Sequence, residues 1–317
     1  MNTSSEYGME LLGRGEPTAM DRQMGAVIMI LSSFQLVCGT FAMYILTHIQ
    51  IFHNPFGLFC AVRTGIEMLS SLLHLCYSGP LTITQYRFIP PVVAMITGYF
   101  SYALIGIACA LHVQLSLNRF VAVFFPFQYN FVFSDKNCKF LLIYDFVLMS
   151  SLASLFYVVP CNKMGYSPSY HGYIILDCAD GSPRPFPIGT ILNYICQYML
   201  CLGAITIDCI TLVKLLYVNR KRPVQSAKNI RNLRFFAQSA FQNFPMLVHV
   251  IFFTIADYSM AESVQVHRIL NFLIGRLADF VNTTSIILFN PEAYTFLKSK
   301  MSMATVATVA TATTGNT

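Results

Sequence analysis

The chain has 317 residues, 55% of them hydrophobic and only 11% charged, with a mean hydropathy of +0.57 and a formal net charge of +6. An ordinary soluble domain carries about 25% charged residues, so this supply does not cover a water-soluble globule, and disordered chains are polar and charge-rich. Those two classes are excluded, and an integral membrane protein remains.

A membrane-crossing helix needs about 20 predominantly apolar residues. Seven stretches qualify: Ala26–Thr47, Gly57–Ser78, Val92–Leu117, Phe140–Pro160, Ile188–Tyr217, Phe235–Ala256 and Ile269–Phe289. The second and seventh carry charges, and the sixth is interrupted by Gln238, Gln242, Asn243 and His249. The expected fold is all-α: one membrane bundle over residues 26–297, an outer segment over 1–25 and a disordered tail over 298–317. Residues 1–23 lack the pattern of a cleaved signal peptide, so the first helix is expected to serve as its own insertion signal. The gap Cys161–Pro187 is too polar to span and holds Pro168, Pro183, Pro185 and Pro187. Trp is absent, so the aromatic belts rest on Tyr.

Lys and Arg set the orientation of such a bundle. With the N-terminus outside, 11 basic residues fall on the cytosolic side, 6 outside and 3 within spans, although the first inner loop, His48–Phe56, has none. The expected topology is N-terminus outside, C-terminus in the cytosol.

Two short motifs stand at inner helix ends. Asn118-Arg119-Phe120 closes the third span, where an Arg either snorkels or folds across neighbouring helix ends. Asn290-Pro291-Glu292-Ala293-Tyr294 follows the seventh span; its Pro frees a backbone carbonyl and weakens the helix beside Tyr294. Neither motif is specific alone, but the pairing of the two is.

The arrangement resembles a seven-helix G-protein-coupled receptor. The runs Ser116–Tyr129 (SLNRFVAVFFPFQY), Ile230–Gln242 (IRNLRFFAQSAFQ) and Asn290–Phe296 (NPEAYTF) resemble nematode serpentine chemoreceptors, most like class X. The resemblance implies a chemosensory receptor in the plasma membrane, by analogy that of a sensory-neuron cilium. It binds a small-molecule ligand and activates a heterotrimeric G protein, with arrestin and a receptor kinase as further partners, and needs neither cofactor nor nucleic acid. Coupling would centre on Asn118, Arg119, Phe120, Pro245, Asn290, Pro291 and Tyr294. The chain departs from the broader rhodopsin-like pattern at three places. No Cys stands at the outer start of the third span, Gln242-Asn243-Phe244-Pro245 replaces the Cys-Trp-x-Pro toggle, and Asn118 replaces the acid beside Arg119. Asp145 is the expected substitute partner for Arg119.

Arg63 and Glu67 are i, i+4, and Arg276 and Asp279 are i, i+3, so each pair shares a helix face. Charges at such depth are costly and mark function by default, against the simpler reading of a neutral structural network. Asp208 and Lys214 lie in the fifth span, with Lys214 expected to snorkel inward. The third inner loop offers Arg220, Lys221, Arg222, Lys228 and Arg231 without an acid, as positive-inside topology alone requires; it also suits a G-protein helix and anionic lipid. Of the ten Cys, only Cys76, Cys161 and Cys178 fall on the outer, oxidising side. Cys161 and Cys178 share a loop and are the favoured pair, with Cys76 as competitor. Two glycosylation sequons occur, at Asn2 near the terminus and at Asn282 inside a span.

The ligand is expected in the outer half of the bundle, among Thr97, Tyr99, Tyr102, Asn193, Tyr194, Gln197, Tyr198, His249, Phe253 and Phe272, above an Arg276 neutralised by nearby acids. Hydrolase, P-loop and dinucleotide motifs are absent, as is a seventh-span Lys for retinal, so an enzyme is not expected. A transporter or ligand-gated channel built on the charges of the second and seventh spans is the alternative, but no internal repeat supports it.

Overall fold

The computed structural model describes residues 8–176, 178, 186–221 and 264–289, with residues 238, 241–245, 247, 248 and 251 between the last two blocks. The helices are α1 (Ala19–His48), α2 (Pro55–Leu73), α3 (Gly79–Thr84), α4 (Pro91–Phe124), α5 (Tyr129–Val132), α6 (Asp135–Val158), α7 (Ile188–Asn193), α8 (Leu200–Lys221) and α9 (Val264–Leu288). A two-stranded antiparallel hairpin, β1 (Met164–Ser167) and β2 (Gly172–Ile175), follows α6 and pairs Tyr166 with Tyr173. Among the described residues, five helical stretches are long and apolar enough to cross a membrane: Ala19–His48, Pro55–Thr84, Pro91–Phe124, Asp135–Val158 and Leu200–Val218.

Local chemistry sets the helix starts. Thr18 caps α1 in a reciprocal box: Asp21 N–H donates to the Thr18 hydroxyl, and the Asp21 carboxylate accepts from Thr18 N–H. Asn54 accepts from Gly57 N–H ahead of Pro55, and Pro91 opens α4 at a position whose N–H has no helical partner.

α1, α6 and α9 begin five to seven residues before the predicted spans, and three further differences bear on the site. The third predicted span does not stop at Leu117. Val121, Ala122 and Val123 keep the chain helical to Phe124, so Arg119 stands within α4 rather than at its end. The second continues through a π turn, His74–Ser78, into α3. Pro80 has no N–H to give the carbonyl one turn back, and the helix widens just before it. The fifth is divided by a second π turn, Tyr194–Met199, between α7 and α8.

α4 is the central element, packed against α2, α6, α8 and β1, while α1 lies along α2, α3 and α9. The main core runs through the shared interior, from Ile45 and Phe59 to Leu111, Leu115 and Phe156. Interior helices are buried on several faces. By contrast α1 turns Ile30, Phe34, Val37 and Phe41 outward, the surface a lipid-facing helix needs. The hairpin sits directly on α4. A Cβ on Gly98 would lie 2.7 Å from the carbonyl oxygen of Met164, so the close approach of strand to helix depends on a residue without a side chain.

Candidate functional site

At the end of the bundle where α4 gives way to α5, Arg119 on α4 reaches α8, its Nη2 lying 3.3 Å from Asp208 Oδ2. Asn243 Nδ2 donates to the same oxygen at 2.7 Å. The guanidinium also lies 5.9 Å from the centre of the Phe56 ring. Both charges are buried, and an unpaired Arg or Asp inside a membrane helix costs about 2.5–3.5 kcal/mol on insertion scales, so the pair is the condition on which either charge can be there. One carboxylate oxygen thus joins α4, α8 and the helical stretch 241–245. This corrects the expectation for Asp145. That residue is buried on α6 and faces Gln114, more than a turn outward of Arg119 on α4, because the rotation of α6 points it at a different level of the seam.

Asn118, in the place of the triplet's acid, turns away from Arg119. Its amide donates to the Tyr129 hydroxyl at 3.1 Å and fixes α5 to the foot of α4. Burial pushes the Tyr129 phenol above its ordinary value. Phe120 stacks on Phe124, with ring centres 4.4 Å apart. Lys214 extends along α8 to the same Phe124, its Nζ 5.6 Å from the ring centre. Pro245 is half-buried.

Higher in the bundle the charges close on themselves. Arg63 Nε donates to Glu67 Oε1 at 2.9 Å, and Glu67 also accepts from Thr283 at 2.9 Å and Asn282 at 3.3 Å. Gln35 of α1 donates to Thr283 at 2.7 Å, and Asn282 meets His112 of α4 at 3.4 Å. Gln242 donates to the Asn282 carbonyl at 3.0 Å and to Ser285 at 2.7 Å. Arg276 binds Asp279 at 3.0 Å and Ser70 at 2.9 Å, and Glu67 belongs to Arg63 instead. A polar seam therefore links α1, α2, α4, 241–245 and α9. Sequence reasoning missed Gln35, Ser70, His112 and Thr283 as members and treated Asn282 only as an unreachable sequon. The available signal was spacing: Asp279, Asn282 and Thr283 are i, i+3 and i+4 on one polar helix face.

At the opposite end of the bundle three pieces of chain come together. Cys161 and Cys178 are joined, bracketing the hairpin. Tyr166 is fully buried and shares a hydrogen bond with Thr82 at 2.5 Å, and Tyr173 packs edge-on to Tyr166 with ring centres 5.3 Å apart. Burial raises both phenols above the usual range. The N-terminal segment lies across the hairpin: Ser167 donates to the Glu10 carbonyl at 2.5 Å, and Gly13 N–H donates to the Tyr86 carbonyl at 3.2 Å. Asp21 ties this cover to α1, holding Arg14 at 2.5 Å and His171, at the hairpin tip, at 2.6 Å. Nothing in the sequence pattern pointed to this clasp, because its three members are contributed by a polar segment, a helix cap and a loop.

The expected ligand residues are scattered by comparison. Thr97 is buried in α4, and Tyr198 packs beside Cys109 and Cys201. Tyr194 and Tyr198 lie with ring centres 5.0 Å apart. Tyr99 donates to the Ser150 carbonyl at 3.3 Å and Tyr102 packs edge-on to Phe156 at 4.7 Å, so both serve the α4–α6 contact. The expectations for Arg222, Lys228, Arg231, His249, Phe253, Asn290, Pro291 and Tyr294 lie outside the described residues, as do the side chains of Asn193, Gln197, Lys221 and Phe272. Arg220 is exposed at the end of α8. Among the described residues, no group of three His, Cys, Asp or Glu is placed to hold a metal ion.

A family model described as the serpentine-type seven-transmembrane G-protein-coupled chemoreceptor Srx matches residues 29–308. The chain belongs to the Srx family. The polar seam from Gln35 to Ser285 falls inside the matched region, as does His171 of the clasp, whereas Arg14 and Asp21 fall outside it. Two curated Srx proteins of Caenorhabditis elegans are similar to the chain. Serpentine receptor class X 45 is 24% identical over 159 residues, which cover 50% of this chain and 44% of that protein. Serpentine receptor class X-43 is 24% identical over 206 residues, covering 62% and 60%. The chain thus spans less than two thirds of the length of either relative. Srx is a family of multi-pass membrane receptors and not one of enzymes.

Proposed function

We propose that the chain is a chemosensory receptor of seven membrane helices, N-terminus outside and C-terminus cytosolic, which binds a small, mostly apolar ligand in the outer half of the bundle and activates a heterotrimeric G protein. The observation that carries this reading is the single carboxylate of Asp208, which holds Arg119 of α4 and Asn243 of the stretch 241–245 together at the inner end. Such a fastener is bistable: ligand-driven separation of α8 from α4 frees Arg119 for a partner's helix, and closure hides it. Asn118, Phe120 and Pro245 are the proposed neighbours of this hinge in coupling, and Asn290, Pro291 and Tyr294 are assigned a part in coupling by the sequence motif alone. The basic residues Arg220 to Arg231 supply a cationic docking surface, and the Thr-rich tail, Met301–Thr317, serves phosphorylation and arrestin binding. Plasma membrane, and specifically a sensory cilium, is the proposed location.

The apolar preference follows from Arg276. Its guanidinium already binds Asp279 and Ser70, so the ligand is recognised chiefly by aromatic contact, with Tyr198 and Phe272 the proposed principal groups. The decisive experiment is a second-messenger assay in cells expressing the chain, screened with small odorants and tastants. Arg119→Ala is expected to abolish the agonist response at unchanged surface expression, and a full response from this variant refutes the coupling role.

A further inference from the structure

Beneath the hairpin lies a group of hydroxyls that the rest of the fold leaves out. The π turn His74–Ser78 brings His74 and Tyr77 against the two strands. The His74 ring centre is 6.0 Å from that of Tyr173, and Tyr166 stands between Tyr77 and Tyr173, its ring centre 6.3 Å from the first and 5.3 Å from the second. Ser101 of α4, only 1% exposed, and Ser78 face the Tyr173 hydroxyl. Two of these groups are already engaged: Tyr166 with Thr82, and Ser78 with the His74 ring at 3.1 Å. The hydroxyl oxygens of Tyr77, Ser101 and Tyr173 differ. All three are buried, and none has a hydrogen-bond partner among the described residues. A buried hydroxyl left unpaired is costly, and here three of them meet at one junction of helix and hairpin.

We infer that this junction receives the polar end of the ligand, an uncharged carbonyl group whose oxygen accepts from the hydroxyls of Tyr77, Ser101 and Tyr173. The inference rests on the receptor reading above for a small ligand and adds its chemical class. Three features select that class. Hydroxyl protons seek acceptors, and a carbonyl oxygen is an acceptor only, with two lone pairs, whereas an alcohol brings a further proton. A charged ligand group would be buried without a counter-charge, because Arg276, the cation acting on His74 and Tyr173, already binds Asp279 and Ser70. Finally, Ser101 stands one turn from Ile105, which borders the same apolar cluster as Tyr198. An apolar body resting on Tyr198 therefore presents its carbonyl at Ser101.

The test reads the carbonyl itself. The full chain is reconstituted in phosphatidylcholine vesicles, and acetophenone carrying carbon-13 at its carbonyl is followed by infrared difference spectroscopy. Competitors are 1-phenylethanol and ethylbenzene, which keep the skeleton and lose the acceptor-only oxygen. Expected is a saturable bound band at lower frequency than in vesicles alone, with each competitor displacing it at least about 10-fold less effectively than unlabelled acetophenone. Tyr77→Phe, Ser101→Ala and Tyr173→Phe each delete one hydroxyl and no hydrogen bond within the described residues, so all three should fold, and each should reverse part of the band shift. Tyr99→Phe, whose hydroxyl serves the Ser150 carbonyl, should leave the band where it is. The inference is overturned by the absence of a saturable band, by a shift that survives all three substitutions, or by displacement with ethylbenzene as effective as with acetophenone. Preference for 1-phenylethanol overturns the carbonyl class. None of these readouts involves signalling: a shifted band without a second-messenger response refutes coupling and leaves this site standing, whereas an agonist response that the three substitutions do not alter refutes this site and leaves coupling standing.

Discussion

Asp208→Asn isolates the inner fastener, because it keeps the shape of the side chain and removes only the charge that holds Arg119. In the structure Arg119 Nη2 meets Asp208 at 3.3 Å, with both side chains buried and Asn243 on the same oxygen. A hydrogen bond to a charged group contributes about 1.5–3 kcal/mol, and all of it acts on the closed form if the pair separates on activation. That is a factor of about 10 to 150 in the closed-to-open ratio, so a receptor open about 1% of the time would become open about 10–60% of the time. The assay is ligand-independent second-messenger output, normalised to receptor at the cell surface. The expected result is raised basal output from Asp208→Asn and none from Asp145→Asn, since Asp145 faces Gln114. Wild-type basal output from Asp208→Asn in a receptor that responds to agonist would refute the fastener, and an increase from Asp145→Asn would show that the acid on α6 controls Arg119 after all.

Glu67→Ala strips acceptors from Arg63, Asn282 and Thr283 at once; breaking a buried pair this way costs about 3–5 kcal/mol, and surface expression should collapse. Arg63→Met with Glu67→Leu should recover much of it, whereas normal expression of Glu67→Ala alone would remove the structural role. Asp21→Ala unties Arg14, Thr18 and His171 and loses an α1 capping interaction of about 1 kcal/mol; hydrogen exchange at the β1–β2 amides should accelerate, and unchanged exchange would mean that the clasp does not hold the hairpin. Non-reducing peptide mapping should recover Cys161 linked to Cys178, whose sequence separation of 17 gives a closure of about 3 kcal/mol on the chain-entropy model; a link from either to Cys76 would overturn the pairing. In dose–response, once corrected for surface expression, Tyr198→Ala or Phe272→Ala should weaken the agonist response more than Arg276→Gln, and the reverse order would identify a charged ligand anchored on Arg276.

What the sequence made legible follows from range. Long apolar runs mark α1, α2, α4, α6 and α8 because a helix satisfies its own backbone, and lipid demands apolar side chains along the whole length. Arg63 with Glu67, and Arg276 with Asp279, are likewise readable at three- and four-residue spacing, since the helix itself brings those side chains together. Helix ends were harder. Val121-Ala122-Val123 is apolar, but Asn118 and Arg119 before it look like the edge of the membrane, and α4 passes through them because their partners are inside the protein. The two π turns leave no periodicity signal that a window of apolar residues would register.

Partner choice between helices lies beyond that range, and Arg119 shows why. Two acids, Asp145 and Asp208, stand on neighbours of α4, and the chain separates Arg119 from Asp208 by 89 positions. Distance along the sequence says nothing about which acid it meets. The selection is made by the rotation and shift of α6 and α8 against α4, which residues elsewhere determine: Gly106 of α4, where a Cβ would come 3.2 Å from the Met149 sulfur of α6, and Cys109 of α4 against Cys201 of α8, at 3.8 Å. These are ordinary packing residues with no chemistry to announce them. They nevertheless decide which carboxylate holds the Arg, so a volume change at Gly106 or Cys201 should alter basal signalling through Arg119 without touching either charge, and the direction of that change should follow the Arg119–Asp208 separation.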